Sequence, residues 1–288
     1  MKNIVVTGGS GKAGQAVIRE LLGHGYAVVN VDQVLPAEPL CPHFKVDLSK
    51  FGEAVEALRV AAGIMDRRRP FRAADAVVHL AAIPDTGLVP ESVTFETNVT
   101  TTYNIFSAAT LLGLPRVVWA SSETTAGVPF RNPPDFVPIT EEHPTRAETN
   151  YALSKVLCEE MARQMHRWNP GTTFVGLRFC FIRDEADFPG FADHWDDAHE
   201  RKYSLWNYVD GRDVARACRL ALESSFTGAD HFIIAAADTV MTRPSRDLMA
   251  EIFPGTPIRG TLGEFETLFS FEKARRVLGY TPRHSWRK

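Results

Sequence analysis

The chain has 288 residues, a net charge of −3 and a hydrophobic share of 44%. That share can bury the core of a large α/β domain and excludes a disordered chain. The near-neutral charge offers no basic face to nucleic acid or an anionic membrane, and no apolar run reaches the ~20 residues that span a bilayer. Met1-Lys2-Asn3 leads straight into the first apolar run, without the core of a secretory leader. Cys41, Cys158, Cys180 and Cys218 are scattered and form no C-x-x-C pair. Reduced thiols and a cytoplasmic location are therefore expected, with no disulfide framework and no metal site.

Short apolar runs alternate with segments of helical period. Residues 3–7 predict a buried strand. A helix follows over 12–23, carrying Ala13, Ala16, Val17, Leu21 and Leu22 on one face. Residues 26–31 predict a second strand, and Val46 lies on a short third. A helix over 50–62 comes next; Arg67-Arg68-Arg69 reads as a solvated loop. Further strands are expected at 75–80, 115–120 and 172–177, with helices at 92–112 and 150–168. Beyond Arg178, residues 183–207 are charged and aromatic without a clear strand. A helix over 209–223, a strand over 231–235 and short helices at 244–252 and 271–278 complete the reading.

Continuous apolar strands alternating with helices imply a parallel sheet covered on both faces. The predicted fold is a doubly wound, Rossmann-type α/β sheet with a small C-terminal lobe. Residues 1–177, completed by 209–236, form the expected nucleotide-binding domain. Residues 178–208 and 237–288 form the expected substrate-binding lobe.

The first strand runs into Thr7-Gly8-Gly9-Ser10-Gly11-Lys12-Ala13-Gly14 and then a helix. Gly8, Gly11 and Gly14 are spaced as in a dinucleotide-binding turn. Glycine there lets the backbone approach a pyrophosphate, and the helix start offers free N–H groups. Asp32 closes the second strand, where a carboxylate can accept both ribose hydroxyls of NAD and repel the extra phosphate of NADP. Lys12 and Ala13, on the same glycine loop, are counted among the cofactor contacts, with the Lys12 side chain expected to face solvent rather than to favour NADP. Asp47 and Leu48 are placed to flank an adenine; Asp47 could equally cap the next helix.

Tyr151 and Lys155 form Tyr-x-x-x-Lys, which puts both side chains on one helix face. A phenol titrates near ~10, too high for a base at neutral pH. A neighbouring ammonium, together with a positive nicotinamide, is expected to favour the phenolate and make Tyr151 a general base. Ser122 closes a parallel strand at the ligand-binding edge, where its hydroxyl can hold a substrate oxygen.

These pieces together resemble the extended short-chain dehydrogenase/reductase family, the NAD-dependent epimerases and dehydratases. The resemblance rests on TGGSGKAG at 7–14, Asp32, HLAA at 79–82, Asn98, ASSETTAG at 120–127, YALSK at 151–155, LRF at 177–179 and YVDGRDVARA at 208–217. It implies that Ser122, Tyr151 and Lys155 are the catalytic group and that NAD is the cofactor. It places Leu80, Ala81 and Ala82 beside the cofactor, with Tyr151 and Lys155 also reaching it, and Asn98 in a structural position at the cofactor edge. It also implies a homodimer through helices 92–112 and 150–168. Ser122, Glu123, Thr124 and Arg178 are the expected substrate contacts.

The chain departs from the family pattern in places. Phe181 stands where nucleotide-sugar epimerases carry an asparagine, and Ala126 where they carry a tyrosine. The dehydratases place an acidic pair after the catalytic hydroxyl; here Glu123-Thr124 supplies one acid. Uronate dehydrogenases, similar in size and in the serine motif, carry Asn-His there, and a glutamate is expected to repel a uronate. The acidic stretch of Asp184, Glu185, Asp187, Asp193, Asp196 and Asp197 disfavours a diphosphate. Asp193, His194 and His199 lack a defined metal geometry, so lid hydrogen bonding is the expectation. His79 reads as a structural histidine. Trp195, Tyr203, Trp206 and Tyr208 could line a sugar pocket or pack the lobe. The expected activity is oxidation or reduction of a sugar-like hydroxyl or ketone, with a nucleotide-sugar 4-epimerase retaining NAD as the alternative. A non-enzymatic NAD sensor would have no use for a tuned phenol.

Overall fold

The computed structural model describes residues 2–60 and 73–287. Arg67-Arg68-Arg69 and the end of the helix predicted to reach 62 lie outside the described residues. The elements run β1 (Asn3–Thr7), α1 (Lys12–Gly23), β2 (Ala27–Asp32), β3 (His43–Lys45), α2 (Phe51–Val60), β4 (Ala76–His79), α3 (Glu91–Leu111), β5 (Arg116–Ser122), α4 (Asn150–Trp168), β6 (Thr173–Phe179), β7 (Ile182–Arg183), β8 (Val209–Asp210), α5 (Gly211–Glu223), β9 (Ala229–Ile234), α6 (Ser245–Ile252) and α7 (Glu272–Leu278).

Seven strands form one sheet in the order β3-β2-β1-β4-β5-β6-β9, and every neighbouring pair is parallel. This is the doubly wound α/β fold that the alternating pattern predicts. The chain builds outward from β1 to β3, then returns to place β4 on the other side of β1. The carboxyl ends of β1 and β4 therefore diverge into loops leaving opposite faces, which opens a crevice.

The pleat divides the core. Ile4, Val6, Val78 and Val118 face α1 and α5. Val5, Val77 and Val117, their sequence neighbours, face α2, α3 and α4. On that second face Phe106 of α3 is fully buried, its ring 5.5 Å from Trp119 and 4.8 Å from Phe174.

Two local differences from the sequence reading have simple causes, and one open alternative is decided. Val46 is buried but lies one residue past β3. β7 and β8 pair as a separate two-stranded parallel sheet; two residues carry no readable alternation. Trp206 and Tyr208 are fully buried, and Trp195 stacks on Trp286 at 5.5 Å. These aromatics pack the lobe.

β9 is an edge strand. The Ile233 N–H at that edge donates to Glu141 Oε1 at 2.8 Å. Among the described residues no helix is long and apolar enough to cross a membrane.

Phe106→Ala empties the space between Trp119 and Phe174. It is expected to lower unfolding free energy by about 3–5 kcal/mol, measured by urea denaturation.

Candidate active site

The crevice beside β1 and β4 is a cleft of about 490 Å³, lined among others by Gly8, Gly11, Lys12, Ala13, Asp32, Leu48, Leu80, Ala81 and Ala82. All nine are residues that the sequence assigns to the cofactor. Gly8 has φ +69°, and a Cβ there would lie 2.6 Å from the Ala81 backbone nitrogen. A Cβ on Gly14 would run into the Gly8 carbonyl. Glycine is thus required at position 8 for the loops after β1 and β4 to meet, and at position 14 for α1 to pack on the loop that leads into it. Helix α1 opens at Gly11 with no side-chain cap and no acid in its first turn. Its first N–H groups are free to meet an anion in the cleft.

Asp32 is fixed from both sides. Ser10 N donates to Oδ2 and Val34 N to Oδ1, each at 3.0 Å. Each carboxylate oxygen keeps a lone pair for a ribose hydroxyl. Asp47 does not line the cleft; its neighbours Val46 and Leu48 do. Asp47 instead accepts from Ser49 N and Oγ at 3.0 and 2.7 Å, bonds that hold its carboxyl below the usual range. Asn98 is buried behind the wall. It donates to Ile83 O at 3.0 Å and accepts from Ile83 N at 2.8 Å. That clasp shapes the loop carrying Ile83 and Pro84, two wall residues absent from the sequence reading.

Tyr151 enters α4 one residue after its start, because Thr149 caps the helix by accepting from Ala152 N at 3.0 Å. Tyr151 hydrogen-bonds Ser122. Lys155 sits one turn on, 3% exposed, with Nζ 5.6 Å from the Tyr151 ring centre and 2.9 Å from the Ala120 carbonyl it donates to. The three residues converge as the motifs predict. The expected phenolate, however, is not what protein groups alone produce. Burial pushes the Tyr151 hydroxyl up to about 12, against the opposing hydrogen bond from Ser122. Burial also lowers the Lys155 ammonium. Tyr151 therefore rests as a neutral phenol, and a further positive charge beside it is needed to ionise it. His79, next to this group, is held at Nδ1 by Thr7 Oγ1 at 2.7 Å and driven down to about 3 by burial and by Lys155. It is a neutral structural histidine.

The substrate side differs more from expectation. Thr124 stays with Ser122, its Oγ1 donating to Ser122 Oγ at 3.0 Å. Glu123 turns inward and is 4% exposed. It accepts from Asn207 Nδ2 and from the Cys180 thiol. Burial pushes its carboxyl up to about 8, against those two bonds and the Arg201 charge. A carboxyl still protonated at pH 7 does not repel a uronate, so that argument against sugar acids loses its basis. Arg178 does not reach the pocket. It is 2% exposed and spends Nε and Nη2 on Glu159 at 2.8 and 2.7 Å; on β6 it points to the α4 face of the sheet.

Sequence reasoning also missed Arg201 and Asn207. Arg201 is 7% exposed, and its Nε is buried without a hydrogen-bond partner among the described residues. Its guanidinium lies 5.2 Å from the Phe181 ring centre, and that of Arg183 lies 4.8 Å away. No periodicity marks either residue, because both stand in irregular backbone. The acidic stretch is partly neutralised: Lys12 Nζ lies 2.7 Å from Asp187 and 3.4 Å from Asp184, and Arg212 lies 2.8 Å from Glu185. Lys12 thus bridges the glycine loop to the lobe, where solvent exposure alone was expected.

Residues 4–194 match the model of the NAD dependent epimerase/dehydratase family. The chain is 27% identical to UDP-glucose 4-epimerase 3 of Oryza sativa subsp. japonica over 62% of its own length and 48% of that protein. It spans about half the length of most of the curated relatives it matches. It is 26% identical to UDP-glucose 4-epimerase of Corynebacterium glutamicum over 98% of this chain and 91% of that one. A short-chain dehydrogenase/reductase superfamily protein of Agrobacterium tumefaciens, solved with bound NAD, superposes with a TM-score of 0.72 at 22% identity, covering 98% of this chain and 93% of that one.

Two outcomes follow from the geometry. Gly8→Ala forces a side chain into a left-handed turn and against Ala81, and is expected to weaken NAD binding about tenfold or more, read by calorimetric titration. Glu123 has its carboxyl raised from 4.5 to about 8 in the folded state. A raised value means stability is lost as pH rises from the lower figure to the higher one. Glu123→Gln removes that loss, so its stability advantage over the wild type is expected to grow between pH 5 and pH 8 in urea titrations.

Proposed function

The chain belongs to the NAD-dependent epimerase/dehydratase family, and within it we propose a dehydrogenase that oxidises a secondary hydroxyl of a sugar or sugar-derived small molecule, or reduces the matching ketone. The observation that carries this reading is the convergence of Ser122, Tyr151 and Lys155 beside a cleft built for a dinucleotide. Gly8, Gly11 and the free N–H groups of α1 would hold the pyrophosphate, and Asp32 the adenosine ribose. Leu48 would flank the adenine; Ala81, Ala82 and Lys155 would border the nicotinamide half. NAD supplies a hydride acceptor there, and its oxidised ring the positive charge that a buried phenol needs.

This chain's residues do the rest. Ser122 donates to the substrate oxygen and fixes it near Tyr151. Tyr151 takes the hydroxyl proton as the carbon gives up hydride, and returns it in reduction. Lys155, held on the Ala120 carbonyl, keeps a positive charge near the phenolate and lowers the cost of forming it. Net redox chemistry on a small substrate is favoured over epimerisation of a nucleotide sugar by Phe181, whose ring cannot hydrogen-bond a diphosphate. A homodimer through α3 and α4 fits the exposed Val93, Tyr103, Leu153 and Leu157 on those helices.

The second reading, a 4-epimerase, draws on the curated relatives. An epimerase purifies with NAD bound and makes no net NADH. The deciding experiment is NADH absorbance with added NAD⁺ across aldoses, polyols, sugar acids and nucleotide sugars. Turnover of an unactivated sugar is expected; NADH formation from none of them would overturn the proposal. On the substrate found, Tyr151→Phe is expected to lower kcat by about 10²–10⁴ with NAD affinity unchanged.

A further inference from the structure

The catalytic group divides between two elements. Ser122 ends β5, while Tyr151 and Lys155 ride on α4. Their geometry depends on how the helix sits against the strand, and nothing in a helix or a strand fixes that by itself. Three contacts do so. Tyr151 hydrogen-bonds Ser122. Lys155 Nζ donates to the Ala120 carbonyl at 2.9 Å. One turn further along the same helix face, Glu159 accepts from Ser121 Oγ at 2.6 Å. Residues 151, 155 and 159 thus meet 122, 120 and 121, three consecutive positions of one strand end.

The first contact changes during turnover, because Tyr151 takes up and returns a proton, and the second holds a charge beside it. The third is built to stay. Glu159 is 6% exposed and is held by Arg178 of β6 through Nε and Nη2, at 2.8 and 2.7 Å. His231 of β9 approaches its other side at 3.5 Å. One carboxylate thereby joins α4 to β5 and β6 and reaches toward β9. Burial pushes this carboxyl up, but the hydrogen bonds and charge of Arg178, with His231 and Ser121, bring it below the usual range. It stays charged as part of the pair.

A buried ion pair is a poor means of gaining stability, since desolvation offsets much of the attraction. An apolar pair of similar volume would pack α4 as well. A charged, two-pronged acceptor instead fixes direction and distance. We propose that Glu159, through Ser121 and Arg178, is a positioning residue that sets the register of α4 against β5 and so the placement of Lys155 and Tyr151 relative to Ser122. This rests on the catalytic reading of those three residues.

The test uses two variants and a readout that needs no substrate. Ser121→Ala removes only the bond to the strand end and leaves the ion pair intact. Glu159→Gln turns one accepting oxygen into an amide N–H₂ facing the Arg178 guanidinium. Thermal melting and NAD⁺ titration establish that each variant folds and binds. The ionisation of Tyr151 is then followed by near-ultraviolet tyrosinate absorbance with saturating NAD⁺, subtracting the same titration of Tyr151→Phe. With the register relaxed, Lys155 recedes and Tyr151 is expected to titrate higher by about half a pH unit or more. On a substrate from the screen, kcat is expected to fall about tenfold with KM unchanged. If Ser121→Ala folds, binds NAD⁺ and titrates Tyr151 as the wild type does, the positioning role is overturned, whatever happens to Glu159→Gln. If the wild type itself gives no Tyr151-dependent signal with NAD⁺, the catalytic reading fails, and the positioning role fails with it.

Discussion

Seven strands running in one direction put all their carboxyl ends on one edge of the sheet. Chemistry can gather at that edge, and the reversal of strand order between β1 and β4 decides where. The loops that follow these strands must pass close together, and Gly8 lies where a side chain would strike the Ala81 backbone. Closing that gap aligns the start of α1 with the cleft. It also brings the β4 loop, clasped by Asn98, to the level of Ser122 on the neighbouring strand. The places of the glycine loop, the Asp32 carboxylate and the Ser122 hydroxyl on one edge are therefore consequences of one topological constraint.

On the proposed reading, the burial of Tyr151 and Lys155 would give the cofactor a use beyond accepting hydride. Tyr151 and Lys155 lie so deep that burial works against the charged form of each. The site is set to hold a neutral phenol until another positive charge arrives. In the proposed mechanism such a group would be a weak base in the free protein and would become a competent one beside an oxidised nicotinamide, which would couple proton removal to the presence of the oxidant.

The alternating sheet, the glycine loop, the place of Asp32 and the convergence of Ser122, Tyr151 and Lys155 were legible in the sequence because each leaves a mark at fixed spacing. What sequence could not settle was direction. Arg178 and Glu123 both adjoin recognisable motifs, and adjacency read as pocket contact. The pleat sends Arg178 to the opposite face from Phe179, and the tight turn after Ser122 folds Glu123 inward against Asn207. That partner lies 84 positions away in a segment with no regular structure. Charge misled for a similar reason: six acids read as a repulsive surface, yet Lys12 and Arg212, from distant positions, neutralise several of them.

The amide of Ile233, covered by Glu141, bears on how this protein behaves in a crowded solution. A parallel sheet that ends in a bare strand is a template: its unsatisfied amides can recruit an extended segment of any passing chain. On β9 a carboxylate from the loop after β5 takes one of those amides. A second molecule approaching in register would have to displace that carboxylate before it could add a strand. Growth of the sheet from one protein into the next is thus opposed at this border by a residue that has no part in the chemistry.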